Sequence, residues 1–293
     1  MFILKQWVRQ FIIFIVGKRN HIKWKFRRTH GYPLDFANPQ SLSEKVQWIK
    51  IYRNLEILSP YVDKYEVRGF VRERIGENYL IPLIGVYDSF DEIDWDSLPV
   101  SFVIKANHGS GMNILVKDKT LADWNEIRRK LNRWLKTNYY HWGGEACYKN
   151  IKRRILIENY MGDISGSLND YKFYCCDGEP LGLHVDFDRF GEHTYRVYDA
   201  RWNEFNKEKP EGHTPPYLPK PEKMDEMLAV CRKLSKSFSY VRVDLYYTAG
   251  RVYFGELTFT PGNGFEVFDP VRSDCYFGQP FDVHRYVAGL QYQ

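Results

Sequence analysis

The chain has 293 residues, of which 44% are hydrophobic and 27% charged, ordinary globular usage that excludes a disordered tail, a collagen and a coiled coil. Its 42 Lys and Arg exceed its 37 Asp and Glu by 42 − 37 = 5. This mild excess comes without a basic block or any RNP, zinc-finger or helix-turn-helix spacing, so no nucleic-acid partner is expected. Five cysteines (Cys147, Cys175, Cys176, Cys231, Cys275) with no C-x-x-C argue against a disulfide framework or structural zinc, and for a reducing compartment.

At the N-terminus the longest apolar run is Phe11 to Val16, far short of the ~20 residues of a spanning helix. Trp7, Phe11, Phe14 and Ile15 fall near helical spacing, so residues 1–20 are expected to form an amphipathic helix. With Lys18, Arg19, Lys23, Lys25, Arg27 and Arg28 it either rests on an anionic membrane surface, through residues 1–28, or packs on the core. A helical region, 21–99, follows. Ser41-Leu42-Ser43-Glu44 is a capping box opening a helix with Leu42, Val46 and Ile49 on its apolar stripe. A second helix is predicted from Pro60 to about Ile75, and two short strands over Tyr79–Tyr87, broken at Pro82. Asp88–Pro99 reads as an acidic loop.

Residues 100–161 are expected to form a first lobe. Strand Ser101–Lys105 turns through Asn107-His108-Gly109-Ser110-Gly111 and returns as Met112–Val116. Trp124, Ile127, Leu131, Trp134 and Leu135 mark a long helix, and Arg154–Tyr160 a strand. Residues 162–293 are expected to form a second lobe. Tyr171–Cys176 and Pro180–Phe187 flank the hairpin signal Asp177-Gly178. Tyr195–Tyr198 is a further strand, Asn206–Pro221 a loop, and Met224, Met227, Leu228, Cys231 and Leu234 a helix face. Tyr240–Tyr247 and Arg251–Thr258 make a last hairpin. The pattern is α+β and does not alternate as a doubly wound sheet does.

That hairpin carries the sharpest chemical signal. Alternation puts Arg242, Asp244 and Tyr246 on one face of one strand, and Glu256 and Thr258 together on a face of the next. Two carboxylates on adjacent strands beside an Arg suit magnesium holding a polyphosphate. The bland reading is a cross-strand salt bridge. Gly109-Ser110-Gly111 between two strands, with Lys105 before it, can expose backbone N–H groups to phosphate. Asp186-Phe187-Asp188 matches the short Asp-x-Asp metal motif of nucleotide-sugar glycosyltransferases, and Arg189 suits a carboxylate or phosphate clamp. Cys175 and Cys176 read as packing thiols. Trp48, Trp134, Trp142 and Trp202 are candidates to stack on a sugar.

Arg-Val-Asp followed by Glu-x-Thr-x-x-Pro-Gly resembles the last motif of the ATP-grasp ligases. Other strings resemble the teichuronopeptide-biosynthesis (TupA-like) branch. They are Ser43–Trp48, Asp63-Lys64-Tyr65-Glu66-Val67-Arg68, Lys105–Gly111, Asp170-Tyr171-Lys172-Phe173 and Phe254–Thr258. The resemblance implies an ATP-grasp fold, two α+β lobes clasping ATP. It implies phosphate contacts from Lys64, Lys105 and the lid Gly109, Ser110 and Gly111, where His108 either orients the loop or touches the nucleotide. Glu158, Tyr160 and Met161 would meet the adenine edge, and Asp170 the ribose. Asp244 and Glu256 would hold Mg2+, with Thr258 in place of the family's usual Asn and Asn263 as its substitute. Arg242, Lys172 and Arg189 would serve catalysis. The implied activity joins an amine, such as an amino acid, to a carboxylate of a uronic acid in a surface glycan or its lipid-linked precursor, at the cytoplasmic face.

Overall fold

The computed structural model describes residues 15–161, 168–187, 194–205, 215–268 and 271–286. Its first named helix, α1 (Lys18–His30), runs past the limit expected at residue 20. Ile22 and Phe26, one turn apart, are buried and carry the helix onward, until Gly31 at φ 81 ends it with its N–H on the Arg27 carbonyl. Residues 1–14, with Trp7, Phe11 and Phe14 of the expected amphipathic stripe, lie outside the described residues.

Helix α2 (Leu42–Tyr52) starts at the capping box. Ser41 Oγ accepts the Glu44 N–H (3.2 Å) and a Glu44 carboxylate oxygen accepts the Ser41 N–H (3.0 Å). The single helix expected from Pro60 to Ile75 is two, α3 (Ser59–Val62) and α4 (Val67–Ile75). Asp63 is extended between them, and its carboxylate takes the N–H groups of Tyr65 (2.8 Å) and Glu66 (3.3 Å). A side chain that satisfies the next backbone donors competes with the helix.

The first sheet has β1 (Leu83–Tyr87), β2 (Phe102–Ala106), β3 (Asn113–Val116) and β4 (Ile155–Asn159), all antiparallel, in the order β1-β4-β2-β3. Only the segment after Pro82 is a strand, because Glu77–Tyr79 before it forms a 3-10 turn. Strand β1, expected within the helical region 21–99, therefore belongs to this sheet. Helix α5 (Trp124–Lys136) covers it with Ile127 and Leu131, packed with Phe102, Ile104, Ile155 and Ile157. The short helix α6 (Tyr140–Gly143) follows.

The second sheet has β5 (Asp170–Cys176), β6 (Glu179–Phe187), β7 (Thr194–Asp199), β8 (Tyr240–Thr248) and β9 (Arg251–Thr258), antiparallel, in the order β7-β6-β5-β8-β9. Helix α7 (Met224–Ser235) buries Met227, Cys231 and Leu234 in the same core as Phe173, Leu183, Val243 and Leu245. Cys175 and Cys176 are buried, as expected of packing thiols.

Helix α2 belongs to this second core. Lys45 Nζ donates to the carbonyls of Gly278 (2.8 Å) and Phe281 (2.7 Å), and Ser43 N donates to Asp274 (2.9 Å) on α8 (Arg272–Gly278). Burial lowers the Lys45 pKa, and the two carbonyls offset the desolvation of its ammonium.

Candidate active site

The register of the second sheet sets three rows on one face. Tyr174, Arg242 and Thr258 form the first row, Lys172, Asp244 and Glu256 the second, and Asp186, Asp170 and Tyr246 the third. Directly opposed residues of adjacent strands share a face, so the pairing of distant segments builds the cluster. After Asp244 the register shifts by one residue, with Gly255 between the partners of Asp244 and Leu245. A side chain at Gly255 would meet the Asp244 carbonyl at 3.0 Å.

Within the cluster the charges are paired. Arg242 donates Nε (2.7 Å) and Nη2 (2.6 Å) to the two Asp244 oxygens, a bidentate pair with both side chains under a tenth exposed. Arg242 also reaches Thr258 Oγ1 (3.3 Å), which donates to Glu256 (3.3 Å). Lys64 crosses to Glu256 (2.9 Å), and Lys172 donates to Asp186. Burial carries the Asp244 carboxyl up to about 6 against the pull of Arg242, while the Asp244 carboxylate holds the guanidinium well above its ordinary value against its own burial.

Asp244 and Glu256 are the type of ligand a magnesium site uses, but only Glu256 lines the cleft, and Asp244 is buried behind it in its pair with Arg242. They stand opposite each other, Glu256 is about a quarter exposed to the cleft, and Mg2+ on a polyphosphate needs one or two carboxylates, with phosphate and water completing its shell. Thr258 lies between Arg242 and Glu256, where its hydroxyl orients the carboxylate. Asn263 lines the same cleft, but its polar atoms are already bonded. Its Oδ1 accepts from Lys50, its Nδ2 donates to the Gly143 carbonyl (3.0 Å), and its own carbonyl accepts from Gln47 (2.8 Å). Among the described residues, no group of three or more His, Cys, Asp or Glu is placed to hold a metal.

The turn Asn107–Gly111, which holds the expected lid residues Gly109, Ser110 and Gly111, joins β2 to β3. Its base is welded to Asp63-Lys64, which sequence alone did not reveal. Lys64 N donates to the Asn107 carbonyl (3.0 Å), and Asn107 Nδ2 donates to Asp63 (2.9 Å). His108, expected at the nucleotide, is buried, with ring nitrogens 3.1 Å from Asn107 Oδ1 and 3.0 Å from the Trp134 carbonyl. Burial drops its pKa to about 4. It therefore anchors the lid rather than facing the cleft. Gly109 is required by packing, since a Cβ there would lie 2.6 Å from the Tyr139 ring.

On the first sheet, Glu158 is held by Lys105 (2.5 Å) and Arg68 (3.2 Å). Lys105 and Glu158 share a face because Glu158 opposes Val103, two residues before Lys105. Tyr160 and Met161 follow β4 and are half-buried, and Asp170 begins β5.

A cleft of about 410 Å³ joins the lid to the second sheet. Ser110, Lys172, Arg242, Glu256 and Thr258 line it; Lys105, Glu158, Tyr160, Met161 and Asp170 do not. Its remaining wall is Thr260, Gly262 and Asn263 after β9, and Tyr139, Trp142, Gly143, Glu145 and Tyr148 from α6 and the segments on either side of it, most of which sequence reading passed over. The available signal was the Trp-Gly-Gly-Glu string after a helix. Of the four candidate sugar-stacking tryptophans, Trp142 alone lines the cleft. Trp48 is buried, Trp134 packs on the first core, and Trp202 stacks on Tyr198. Burial, with Glu145 and Glu256 nearby, pushes the Tyr139 phenol up to about 12. Arg189 and Asp188 lie outside the described residues, and Asp186 is taken up by Lys172.

The model of the TupA-like ATPgrasp family matches residues 44–282, which span α2, both sheets and the cleft. The chain belongs to the TupA-like ATPgrasp family. No curated protein matches it. Solved structures similar to this TupA-like protein include the ATP complex of D-alanine–D-alanine ligase from Bacillus anthracis. That structure has 17% identity and a TM-score of 0.46, over 78% of this chain and 64% of that one. The ATP-grasp ligase PsnB with a minimal precursor has 11% identity and a TM-score of 0.43, over 78% and 62%. D-alanine–D-alanine ligase from Helicobacter pylori has 14% identity and a TM-score of 0.42, over 82% and 69%. The chain thus spans a little under two thirds of the first two ligases.

Proposed function

We propose that the protein is an ATP-dependent ligase that joins an amine to a carboxylate through an acyl phosphate. The observation that carries this is the trio Lys172, Arg242 and Glu256 on the second sheet, facing Ser110 across one cleft, with Asp244 buried behind them in its pair with Arg242. ATP would lie between the sheets, with Lys105 and the lid N–H groups on its phosphates and Glu158–Met161 and Asp170 toward the nucleoside. Mg2+ on Asp244 and Glu256, when bound, supplies charge neutralisation on the transferring phosphoryl group.

The protein's own groups account for the rest. Lys64, paired with Glu256, would place its ammonium beside the phosphates if Glu256 held the metal. Arg242, fixed by Asp244, presents a cation to the charge on the acceptor carboxylate and on the departing phosphate. Lys172 adds a second cation on the same wall, and Arg189 is proposed as a further clamp. Closure of Gly109–Gly111 excludes water from the acyl phosphate.

The acceptor is a uronic acid of a bacterial surface polysaccharide, capsule or lipid-linked precursor, and the amine an amino acid. Membership of the TupA-like family and the cationic wall support this reading. The enzyme works in the cytoplasm, peripherally on the inner membrane face. Helix α1 supports that placement: it carries Lys18, Arg19, Lys23, Lys25, Arg27 and Arg28, and Trp24 stands 60% exposed with Arg28 over its ring (5.6 Å). No described helix is long and apolar enough to cross a membrane. The test is an ADP-release screen of amino acids against glucuronic, galacturonic and mannuronic acids. It is followed by oxygen-18 in the active acceptor's carboxylate, which should appear in inorganic phosphate. AMP with pyrophosphate, or sugar transfer from a nucleotide-sugar, would overturn the reading.

A further inference from the structure

One carboxylate in the cleft has no part in the phosphate chemistry. Glu145 is 6% exposed yet lines the cleft, and Thr260 Oγ1 donates to its Oε1 at 2.5 Å. Beside it the chain keeps a glycine: a Cβ at Gly143 would fall 2.5 Å from Glu145 Oε2 and 2.5 Å from Asn263 Nδ2. Tyr139 and Trp142, also in the lining, stack with centroids 5.7 Å apart and planes at 25°, and Trp142 is 42% exposed.

The cleft is therefore polarised. The sheet wall carries the cations Arg242 and Lys172, and its one carboxylate, Glu256, is held by Lys64, so that this wall suits a carboxylate or phosphate. The wall built by α6 and its flanking residues carries a buried carboxylate and two aromatic rings, and both a carboxylate and an aromatic face attract a cation. An amine substrate at neutral pH arrives as its ammonium. We infer that Glu145, with Tyr139 and Trp142 around it, seats the ammonium of the incoming amine and takes one of its protons, so that the freed nitrogen lone pair attacks the acyl carbon on the Arg242 wall, the new C–N bond forms and the C–O bond to phosphate breaks with inorganic phosphate leaving. This rests on the ligase reading above and adds to it a specificity residue and a substrate feature, a primary ammonium. Gly143 keeps the approach to Glu145 open.

The test compares two nucleophiles on the full-length enzyme with Mg-ATP and the best uronic acid of the screen. One is the most active amino acid; the other is hydroxylamine, which is largely uncharged at pH 8 and traps acyl phosphate as a hydroxamate. Glu145→Gln should raise the amino-acid KM relative to the hydroxylamine KM by about 10- to 100-fold, the range spanned by a hydrogen bond to a charged group. Trp142→Leu, at an exposed position that does not endanger folding, should raise the same ratio by roughly 3- to 30-fold, as loss of a cation–π contact does. The inference is overturned if Glu145→Gln leaves the ratio unchanged or raises both KM values alike. Should Glu145→Gln not fold, an unchanged ratio in Trp142→Leu overturns it. If the wild type forms no hydroxamate with any uronic acid, the ligase reading itself fails and takes this inference with it.

Discussion

Replacing Asp244 by Asn separates the two roles of that carboxylate. The Asp244 and Arg242 side chains are 7% and 9% exposed and joined by two hydrogen bonds at 2.7 and 2.6 Å. Removing one charge of such a pair leaves the guanidinium buried and uncompensated, at a cost of about 3–5 kcal/mol. Glu256, 3.6 Å from Arg242, recovers part of this, so the lower end of that range applies. For a chain of this size each kcal/mol lowers Tm by roughly 2–4 °C, which gives a fall of about 6–12 °C. Activity should vanish as well, but for a different reason: the proposed magnesium site loses a ligand. The double variant Arg242→Met, Asp244→Leu tells the two apart. Replacing a buried pair by apolar groups of similar volume is often neutral. It should therefore restore Tm to near wild type while ADP release stays absent. The assays are thermal unfolding by circular dichroism and coupled ADP detection. A single Asp244→Asn variant that melts with the wild type, or one that turns over normally with intact metal dependence, would refute the argument.

Lys105→Ala should weaken ATP binding by ~1–3 kcal/mol, the scale of a charge-assisted hydrogen bond, and calorimetry giving an unchanged Kd would contradict the phosphate assignment. His108 and Asp274 carry opposite proton linkages. The buried imidazole, lowered from 6.5 to about 4, contributes stability above pH 6.5 that is lost as pH falls toward 4. The buried Asp274 carboxyl, raised from 3.8 to about 6, disfavours the fold above pH 6 and is relieved as pH falls toward 3.8. Each is worth up to about 3 kcal/mol. Relative to wild type, His108→Gln should therefore gain stability on acidification and Asp274→Asn should lose it, read as urea midpoints between pH 6.5 and 4; parallel profiles would negate both signs. Gly143→Ala should cut activity by displacing Glu145 or Asn263, which its Cβ would approach to 2.5 Å, with ATP affinity retained in a calorimetric titration. Trp24→Glu should reduce sedimentation with phosphatidylserine liposomes and leave turnover of soluble substrates unchanged; undiminished sedimentation would remove α1 as the contact.

Where a single local rule governs, the sequence alone determined the outcome. The capping box at Ser41–Glu44 is set by four adjacent residues, and the hairpin at Ala249-Gly250 by a turn with φ > 0 at both positions. The strand period of two placed Arg242 with Asp244 and Glu256 with Thr258, because the pleat alternates faces whatever the strand pairs with. The family strings carried the fold through the TupA-like resemblance. Tertiary structure decided what depends on distant pairing. The alignment of Lys172 with Asp244 follows from the register of two strands some seventy residues apart in sequence. The break at Asp63 depends on Asn107, which holds the same carboxylate that ends the helix, and helical periodicity contains no trace of that partner. His108 reads like a ligand residue in a glycine-rich turn, yet α5 buries it against the Trp134 carbonyl. Glu145 belongs to no regular element and gains its place only because α6 sets it against Thr260, more than a hundred residues away. Periodicity records which face a residue takes. The chemistry of the cleft depends on which faces meet, and that is fixed by packing between segments whose separation in sequence carries no local signal.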